Sequence, residues 1–513
     1  MHNGTMLQLF HWYVPGDGSW WQQVRDLAPR LAELGITAAW LPPTTKGAEG
    51  AASVGYDVYD LYDLGEFDQK GSVRTRYGTR DELLAAVRAL QGAGINVLAD
   101  IVLNHLGGGD ETETFSALRV DPEHRLTPLG EPEDIEAFTR FTYPGRGGQY
   151  SQFEWTHQCF SGVDYHHGTQ ETAVFNILQE WGDDWEELTS DEKGNYDFLM
   201  YNDIEFRNPA VREELVRWGH WYHETVGFDG LRLDAVKHIS PRFYNEWLDR
   251  LRAGTGRELF AVGEYWAPGR VDLLLTYLEA TGDRVSLFDA PLQHRLHEAS
   301  KAGAHYDLGG IFNDTLTAIR PDKAVTLVDN HDTQPLQSLE APVEHWFKPI
   351  AYALILLREE GYPCVFYPDL FGAHYTDRGR DGGEHEIFLA AVEELPALLG
   401  ARRDYAYGLQ RSWFDDAHCV GWTREGDDDH EGCAVVLSNS VAAEKQMEIG
   451  TRWAGRSFHD LLGKSEGTVT INDEGWGTFP APAGSVSVWV PAHPPTPSFG
   501  EGSKTSVDRW GDC

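Results

Sequence analysis

Three short stretches of the chain end an apolar run on a carboxylate. In Phe228-Asp229-Gly230-Leu231-Arg232-Leu233-Asp234, leucines alternate with an arginine and an aspartate. On a strand this spacing packs one face and projects Arg232 and Asp234 from the other. An inward Asp is costly unless paired or used, and Arg232 is its obvious partner, expected to lower the Asp234 pKa and keep it ionised. In Leu259-Phe260-Ala261-Val262-Gly263-Glu264-Tyr265-Trp266, Glu264 stands between a glycine and two aromatics. That low-dielectric setting is one expected to raise a carboxyl pKa, as a general acid requires. The third, Val325-Thr326-Leu327-Val328-Asp329-Asn330-His331-Asp332, runs from a buried strand into a polar cluster. One such acid is more often a helix cap or an ion-pair partner. Three at the ends of three strands suit retaining glycoside hydrolysis, in which a nucleophile and an acid/base stand about 5–5.5 Å apart.

The elements that must position these groups are legible in the hydrophobic pattern. Strands are expected at Thr5–Trp12, Ile36–Pro42, Asn96–Asn104, Gly230–Ala235, Leu259–Glu264, Ser286–Pro291, Ala324–Asn330 and Cys364–Tyr367. Amphipathic helices fall between most of them, for example Trp20–Leu34, Arg80–Gly92, Pro209–Thr225 and Pro241–Ala253. They start near Ser, Thr, Asp, Asn or Pro, and several stop at Gly. Eight βα units make an α/β chain with a (β/α)8 TIM barrel, whose site lies at the C-terminal ends of the strands. The stretch from Leu106 to Arg207, rich in Gly, Tyr, Trp and Asp, is too long for a simple loop and reads as an inserted subdomain after the third strand. Short strands at Cys419–Arg424, Gly432–Ser438, Lys445–Ile449, Ser457–Asp460, Gly467–Ile471 and Ser485–Pro491 suggest a C-terminal antiparallel β-sandwich. The expected division is therefore a barrel over 1–105 and 208–403, an insert over 106–207, a sandwich over 404–491, and a disordered tail over 492–513.

Composition narrows the class. The 513 residues are 41% hydrophobic and 12% aromatic, which is the make-up of a folded globular protein. No window approaches the roughly 20 apolar residues of a spanning helix, and the N-terminus lacks the pattern of a signal peptide, so a cytoplasmic location is expected. Five cysteines (Cys159, Cys364, Cys419, Cys433 and Cys513) are scattered and odd in number, as reduced structural thiols are. The net charge is −39, with 42 Lys and Arg against 81 Asp and Glu. Such a surface disfavours nucleic acid and anionic lipid as partners. Because the acid is spread along the chain and repels itself, it is expected to belong in a salt-loaded cell such as a halophilic archaeon.

Four ordered segments carry a resemblance. Asp100-Ile101-Val102-Leu103-Asn104-His105, the run Gly230 to His238, Gly263-Glu264-Tyr265-Trp266 and Val328-Asp329-Asn330-His331-Asp332 resemble the four sequence regions of the α-amylase family of glycoside hydrolases. Smaller pieces, Val54-Gly55-Tyr56-Asp57, Tyr59 to Phe67, Gly194 to Tyr201, Arg358 to Pro363 and Val420 to Gly426, resemble its bacterial liquefying and cytoplasmic members. The resemblance runs from Asn3 to Val490.

The resemblance implies an endo-acting hydrolase that cleaves internal α-1,4-glucosidic bonds of starch, glycogen or maltodextrins with retention; a monomer is expected. Asp234 would be the nucleophile, Glu264 the general acid/base, and Asp332 the stabiliser of the transition state. Arg232 would orient Asp234, while His105 and His331 would hydrogen-bond the sugar and Tyr56 would stack beneath it. Lys237 and His238 would line the leaving-group side. It also implies one Ca²⁺ bound by Asn104, Asp197, Asp203 and the carbonyl of His238. Asp184 is a further candidate, since a hard oxygen-only donor set suits calcium. Ser161 and Glu205 stand where relatives carry acids for a linked second ion, and Ala417-His418 stands where a His-Asp pair serves another calcium. A maltooligosaccharide-forming enzyme or a 4-α-glucanotransferase would use the same scaffold. A non-catalytic glucan-binding protein would have lost one of the three carboxylates.

Overall fold

The computed structural model describes residues 3–492. Eight parallel strands close into a barrel, each beside its sequence neighbour: Met6–Gln8, Ala38–Trp40, Asn96–Ile101, Gly230–Leu233, Phe260–Gly263, Ser286–Phe288, Ala324–Leu327 and Tyr362–Phe366. All eight expected strands are present. Most are shorter than expected at the C-terminal end, because there the chain leaves the ladder and delivers its polar residues to the mouth of the barrel. The last strand begins two residues earlier than expected, at Tyr362.

Helices pack around the barrel as the pattern requires. Trp20–Glu33 buries Trp20, Trp21, Val24, Ala28 and Leu31 along one stripe. Arg80–Gly92 opens on a capping box, in which Thr79 accepts from the Glu82 amide and Glu82 bonds back to Thr79. Pro209–Val226 and Pro241–Thr255 both start on proline and stop at glycines in the left-handed region, Gly227 (φ 74°) and Gly256 (φ 64°).

The insert after the third strand is a six-stranded antiparallel sheet. Its order is His105–Leu106, Asn202–Ile204, Phe160–His166, Glu171–Ile177, Glu111–Val120, Glu133–Arg140. The first and last of these strands in the chain are neighbours, with Asp203 opposite His105 and Asn202 opposite Leu106. The insert thus leaves the barrel and returns to it at one point, and this brings Asn104 and Asp203 together.

A second antiparallel unit follows the barrel. One sheet runs Gln410–Trp413, Cys419–Arg424, Cys433–Ser438, Ser485–Pro491, Ser457–Asp460, Val469–Thr470, and a second pairs Ala443–Glu448 with Trp476–Ala481. Met447, Ile449, Phe458, Phe479 and Trp489 form the apolar core between them. The strands Gln410–Trp413 and Trp476–Ala481 add to those expected, as does a hairpin of Ala373–Arg378 with Glu384–Leu389. The four described cysteines, Cys159, Cys364, Cys419 and Cys433, are buried and free. Cys513 and the tail expected to be disordered lie outside the described residues from position 493 onward. No helix among the described residues is long and apolar enough to cross a membrane.

Candidate active site

The fourth barrel strand turns Leu231 and Leu233 into the packing around the barrel and Arg232 into its interior, where the guanidinium is fully buried. One terminal nitrogen of Arg232 donates to Asp234 Oδ1 at 2.5 Å and to Asp100 Oδ1 at 2.9 Å; the other donates to Glu264 Oε2 at 2.6 Å. The guanidinium also lies 4.8 Å from the Trp40 ring. Asp100, on the third strand, accepts as well from Trp40 Nε1 at 2.9 Å and the Tyr56 hydroxyl at 2.8 Å. After Asp234 the chain turns through Ala235 in the left-handed region (φ 48°), which is uncommon for a residue with a Cβ. The turn aims the Ala235 amide at Glu264 Oε2, 3.2 Å away.

Asp332 joins this cluster from the seventh strand. Its amide donates to Asn330 Oδ1 at 2.9 Å, but no described residue hydrogen-bonds its carboxylate, and His331 Nε2 lies 3.4 Å from it. Burial and then the Glu264 charge push Asp332 up to about 7. Burial also pushes Asp234 well above the ordinary carboxylate range and outweighs the opposing charge of Arg232. The expectation that Arg232 lowers the Asp234 pKa therefore names the right partner but not the larger effect, which is desolvation.

Asp234, Glu264 and Asp332 lie in a cleft of about 1050 Å³, which is also walled by Tyr56, His105, Lys237, His238 and His331, while Arg232 is buried beneath Asp234 and Glu264. All nine residues expected to react with or bind a glucan meet in one place. The rings of Trp12, Tyr56 and His331 are nearly parallel: Tyr56 lies 5.0 Å from His331 and 5.9 Å from Trp12. His331 Nδ1 accepts from Gln8 Nε2 at 3.0 Å, which leaves the Nε2 proton facing Asp332. His105 Nε2 donates to the Tyr56 carbonyl at 2.8 Å and thereby holds the loop that presents Tyr56. His238 Nδ1 donates to the Tyr196 carbonyl at 2.6 Å. Burial keeps these histidines neutral: His105 is lowered to about 4, His238 to about 3, and His331 well below its ordinary value. Lys237 Nζ is paired with Glu192 at 3.1 Å and so ties the insert to the barrel across one end of the cleft.

The expected oxygen donors divide. Asn104 Nδ2 donates to Asp203 Oδ1 at 3.0 Å, and Ser161 donates to Asp203 Oδ2 at 2.5 Å. Asp197 follows Tyr196, whose carbonyl receives His238. Asn104 Oδ1 is buried with no hydrogen-bond partner. Burial and then their mutual repulsion push Asp197 up, and burial does the same to Asp203. Asp184 stands apart: its side chain is 74% exposed and ion-paired with Arg207 at 2.8 Å. The acid that turns inward is Glu186: its carboxylate is buried and accepts from the Phe206 amide at 2.6 Å, and its backbone N–H donates to Asp197 Oδ2 at 3.1 Å. Among the described residues no three His, Cys, Asp or Glu side chains converge as a ready-made metal cage. Any ion here would draw on an amide and backbone oxygens as well.

The chain matches the family described as "Alpha amylase, catalytic domain" over residues 20–394 and "Alpha-amylase C-terminal" over residues 433–490. It belongs to the α-amylase family. It is 48% identical to the cytoplasmic α-amylase of Escherichia coli over 491 residues, covering 96% of this chain and 99% of that one. It is 45% identical to the glucan 1,4-α-maltohexaosidase of Bacillus sp. strain 707 over 490 residues, 95% of this chain and 92% of that one. Among solved structures, an α-amylase from Anoxybacillus shares the fold with a TM-score of 0.63 at 17% identity, covering 98% of this chain and 99% of that one.

Asp100, Trp12, Gln8 and Glu186 are the site residues that sequence reasoning missed. Asp100 had a signal, since it alternates with apolar neighbours on the third strand as Arg232 does on the fourth. The Arg232 contacts predict that Arg232→Lys, which keeps a charge but cannot span three carboxylates, lowers kcat/KM on starch by about 100-fold or more while the protein stays folded. A loss below about fivefold, with unfolding temperature unchanged, would show that the guanidinium does not organise the site.

Proposed function

We propose that the chain is an endo-acting α-amylase that cleaves internal α-1,4 bonds of starch, glycogen or maltodextrins with retention. The observation that carries this reading is that two carboxylates, Asp234 and Glu264, share the two ends of one buried guanidinium at the open end of the barrel. Groups so held are close enough for the roughly 5–5.5 Å separation of a double-displacement mechanism. The cleft, at about 1050 Å³, has room for more than one sugar unit, and the chain's relatives by sequence include α-amylases and a maltohexaosidase.

In this mechanism the Asp234 carboxylate attacks the anomeric carbon while Glu264 gives its proton to the glycosidic oxygen, and the bond to the leaving chain breaks. Glu264, now a carboxylate, takes a proton from water, whose oxygen displaces Asp234 from the β-linked intermediate to release an α-anomer. Asp332, whose carboxylate accepts no hydrogen bond from the described residues, is available to the hydroxyls of the distorted sugar. Trp12, Tyr56 and His331 offer faces for its C–H surface. His331 presents its Nε2 proton to the same sugar, and Lys237 and His238 line the leaving side.

The donors around Asn104 fit a calcium ion: an unpartnered buried amide oxygen lies beside carboxyls that burial makes costly to ionise alone. Asn104, Asp197, Asp203 and the His238 carbonyl would hold the ion; Asp184 is not in this set, and Glu186 is the nearer acid. Bound there, it would supply positive charge between the insert and the barrel. A maltooligosaccharide-forming or glucanotransferase variant would share this site and differ in the length of its products. The charge of −39 supports a cytoplasmic enzyme of a salt-rich cell.

Digestion of starch followed by NMR is expected to show α-anomers first, and fresh β-anomers would rule out retention. Glu264→Gln is expected to lose about 100-fold or more of kcat, the span that a positioned acid contributes; near-full activity would reassign the acid. Chelation with EGTA is expected to lower the unfolding temperature in molar KCl, calcium should restore it, and Asp203→Asn should abolish the response. Indifference of the wild type to both additions would dismiss the ion.

A further inference from the structure

The Asp332 carboxylate receives no hydrogen bond from the described residues, and its close imidazole neighbour, His331 Nε2 at 3.4 Å, belongs to the same turn, so its aim depends on the backbone that carries both. That backbone leaves the seventh strand through Val328 and Asp329. Asp329 is buried and held at both oxygens: Val343 N donates to Oδ1 at 3.0 Å, and Lys348 Nζ lies 2.8 Å from Oδ2. Lys348 opens the helix Lys348–Leu356, is itself buried, and reaches Asp369 Oδ1 at 2.5 Å. The Tyr352 hydroxyl donates to Asp369 Oδ2, also at 2.5 Å, and receives the Phe366 amide at 3.3 Å. One ammonium thus joins the exit of the seventh strand, the helix after it and the short helix Tyr367–Phe371 that follows the eighth strand.

The network is a costly one. Two carboxylates and an ammonium have left water, and burial pushes Asp329 up to about 6 against the pull of Lys348. An apolar contact would join the same elements at less cost. What the ions add is a fixed position for Asp329, three residues before Asp332. The next residue, Asn330, then uses Oδ1 to bind the amides of both Asp332 (2.9 Å) and Thr333 (2.8 Å), and Thr333 Oγ1 receives the Asn330 amide. The chain from Asp329 to Thr333 is therefore clamped behind the cleft so that His331 and Asp332 face into it. We propose that Lys348, acting through Asp329, is a positioning residue for Asp332 in glycoside cleavage.

This inference rests on the reading of Asp332 as the group that stabilises the transition state, so the experiment measures that reading separately. Four proteins are compared on a maltooligosaccharide substrate: wild type, Asp332→Asn, Asp329→Asn, and the double variant. Asp329→Asn releases Lys348 from the loop yet leaves it neutralised by Asp369, so no charge is stranded in the core. Lys348→Met, which strands two acids, is the harsher companion, and Lys348→Arg is the conservative one. Kinetic constants are expressed per folded molecule, with the folded fraction taken from thermal unfolding.

A misaligned transition-state group should cost kcat and spare KM. Asp329→Asn is expected to lower kcat about tenfold with KM within about twofold, and Lys348→Arg is expected to recover much of what Lys348→Met loses. In the Asp332→Asn background the same change should cost less than about twofold, because the group it positions is gone. Full additivity in the double variant, or a kcat for Asp329→Asn equal to wild type, would overturn the positioning role. Near-wild-type activity of Asp332→Asn alone would instead overturn the reading of Asp332 on which it rests.

Discussion

One buried guanidinium with carboxylates on both of its ends is the constraint around which the site is built. An isolated charge in the barrel interior would be prohibitively costly, so Arg232 exists there only because Asp100, Asp234 and Glu264 neutralise it. The converse also holds: with Asp332 nearby there are four carboxyls to one guanidinium, and desolvation keeps those of Asp100, Asp234 and Asp332 above their usual range. The arrangement has geometry as well as charge. A planar fork fixes where its acceptors stand, so the two proposed reacting carboxylates are set by a rigid part rather than by flexible side chains.

The closed barrel makes this possible. Its strands place successive inward side chains in layers, so Asp100 on the third strand lies opposite Arg232 on the fourth, and Glu264 follows the fifth. The insert adds a wall and, by pairing its first strand with its last, gathers acids beside the barrel strand that carries Arg232. Those acids lack enough protein cations. Arg207 serves Glu205 and Asp184 at the edge, while no cation among the described residues forms an ion pair with Asp197 or Asp203 deeper inside. The same electrostatic logic thus appears twice, answered once by an arginine and once, on the proposed reading, by calcium.

Much of this was legible in the sequence. Eight apolar runs gave the barrel, and the acids at the ends of the fourth, fifth and seventh strands gave the centre of the site. What escaped did so for physical reasons. The hairpin Ala373–Arg378 with Glu384–Leu389 is largely exposed and polar, so it has no apolar face to show a period of two. Asp184 and Glu186 are alike as oxygen donors and two residues apart. Only the fold reveals that the first meets Arg207 at the surface and the second turns inward. Trp12 and Gln8 come from the first strand and the loop after it, where an aromatic or an amide is ordinarily a core or capping residue. Asp332 could be named from its motif, but the buried Lys348 and Asp369 that hold its loop come from elements far along the chain.

The central claim is that the fork of Arg232 holds Asp234 as the attacking group and Glu264 as its partner. It is tested most directly by trapping the glycosyl-enzyme with a fluorinated maltosyl fluoride whose intermediate hydrolyses slowly, followed by peptide mass spectrometry. The account predicts one added glycosyl group per chain, on the peptide containing Asp234 and at that residue, with no label in Asp234→Asn. A label on Glu264, on Asp332 or on Asp100, or turnover without any trapped ester, would contradict it.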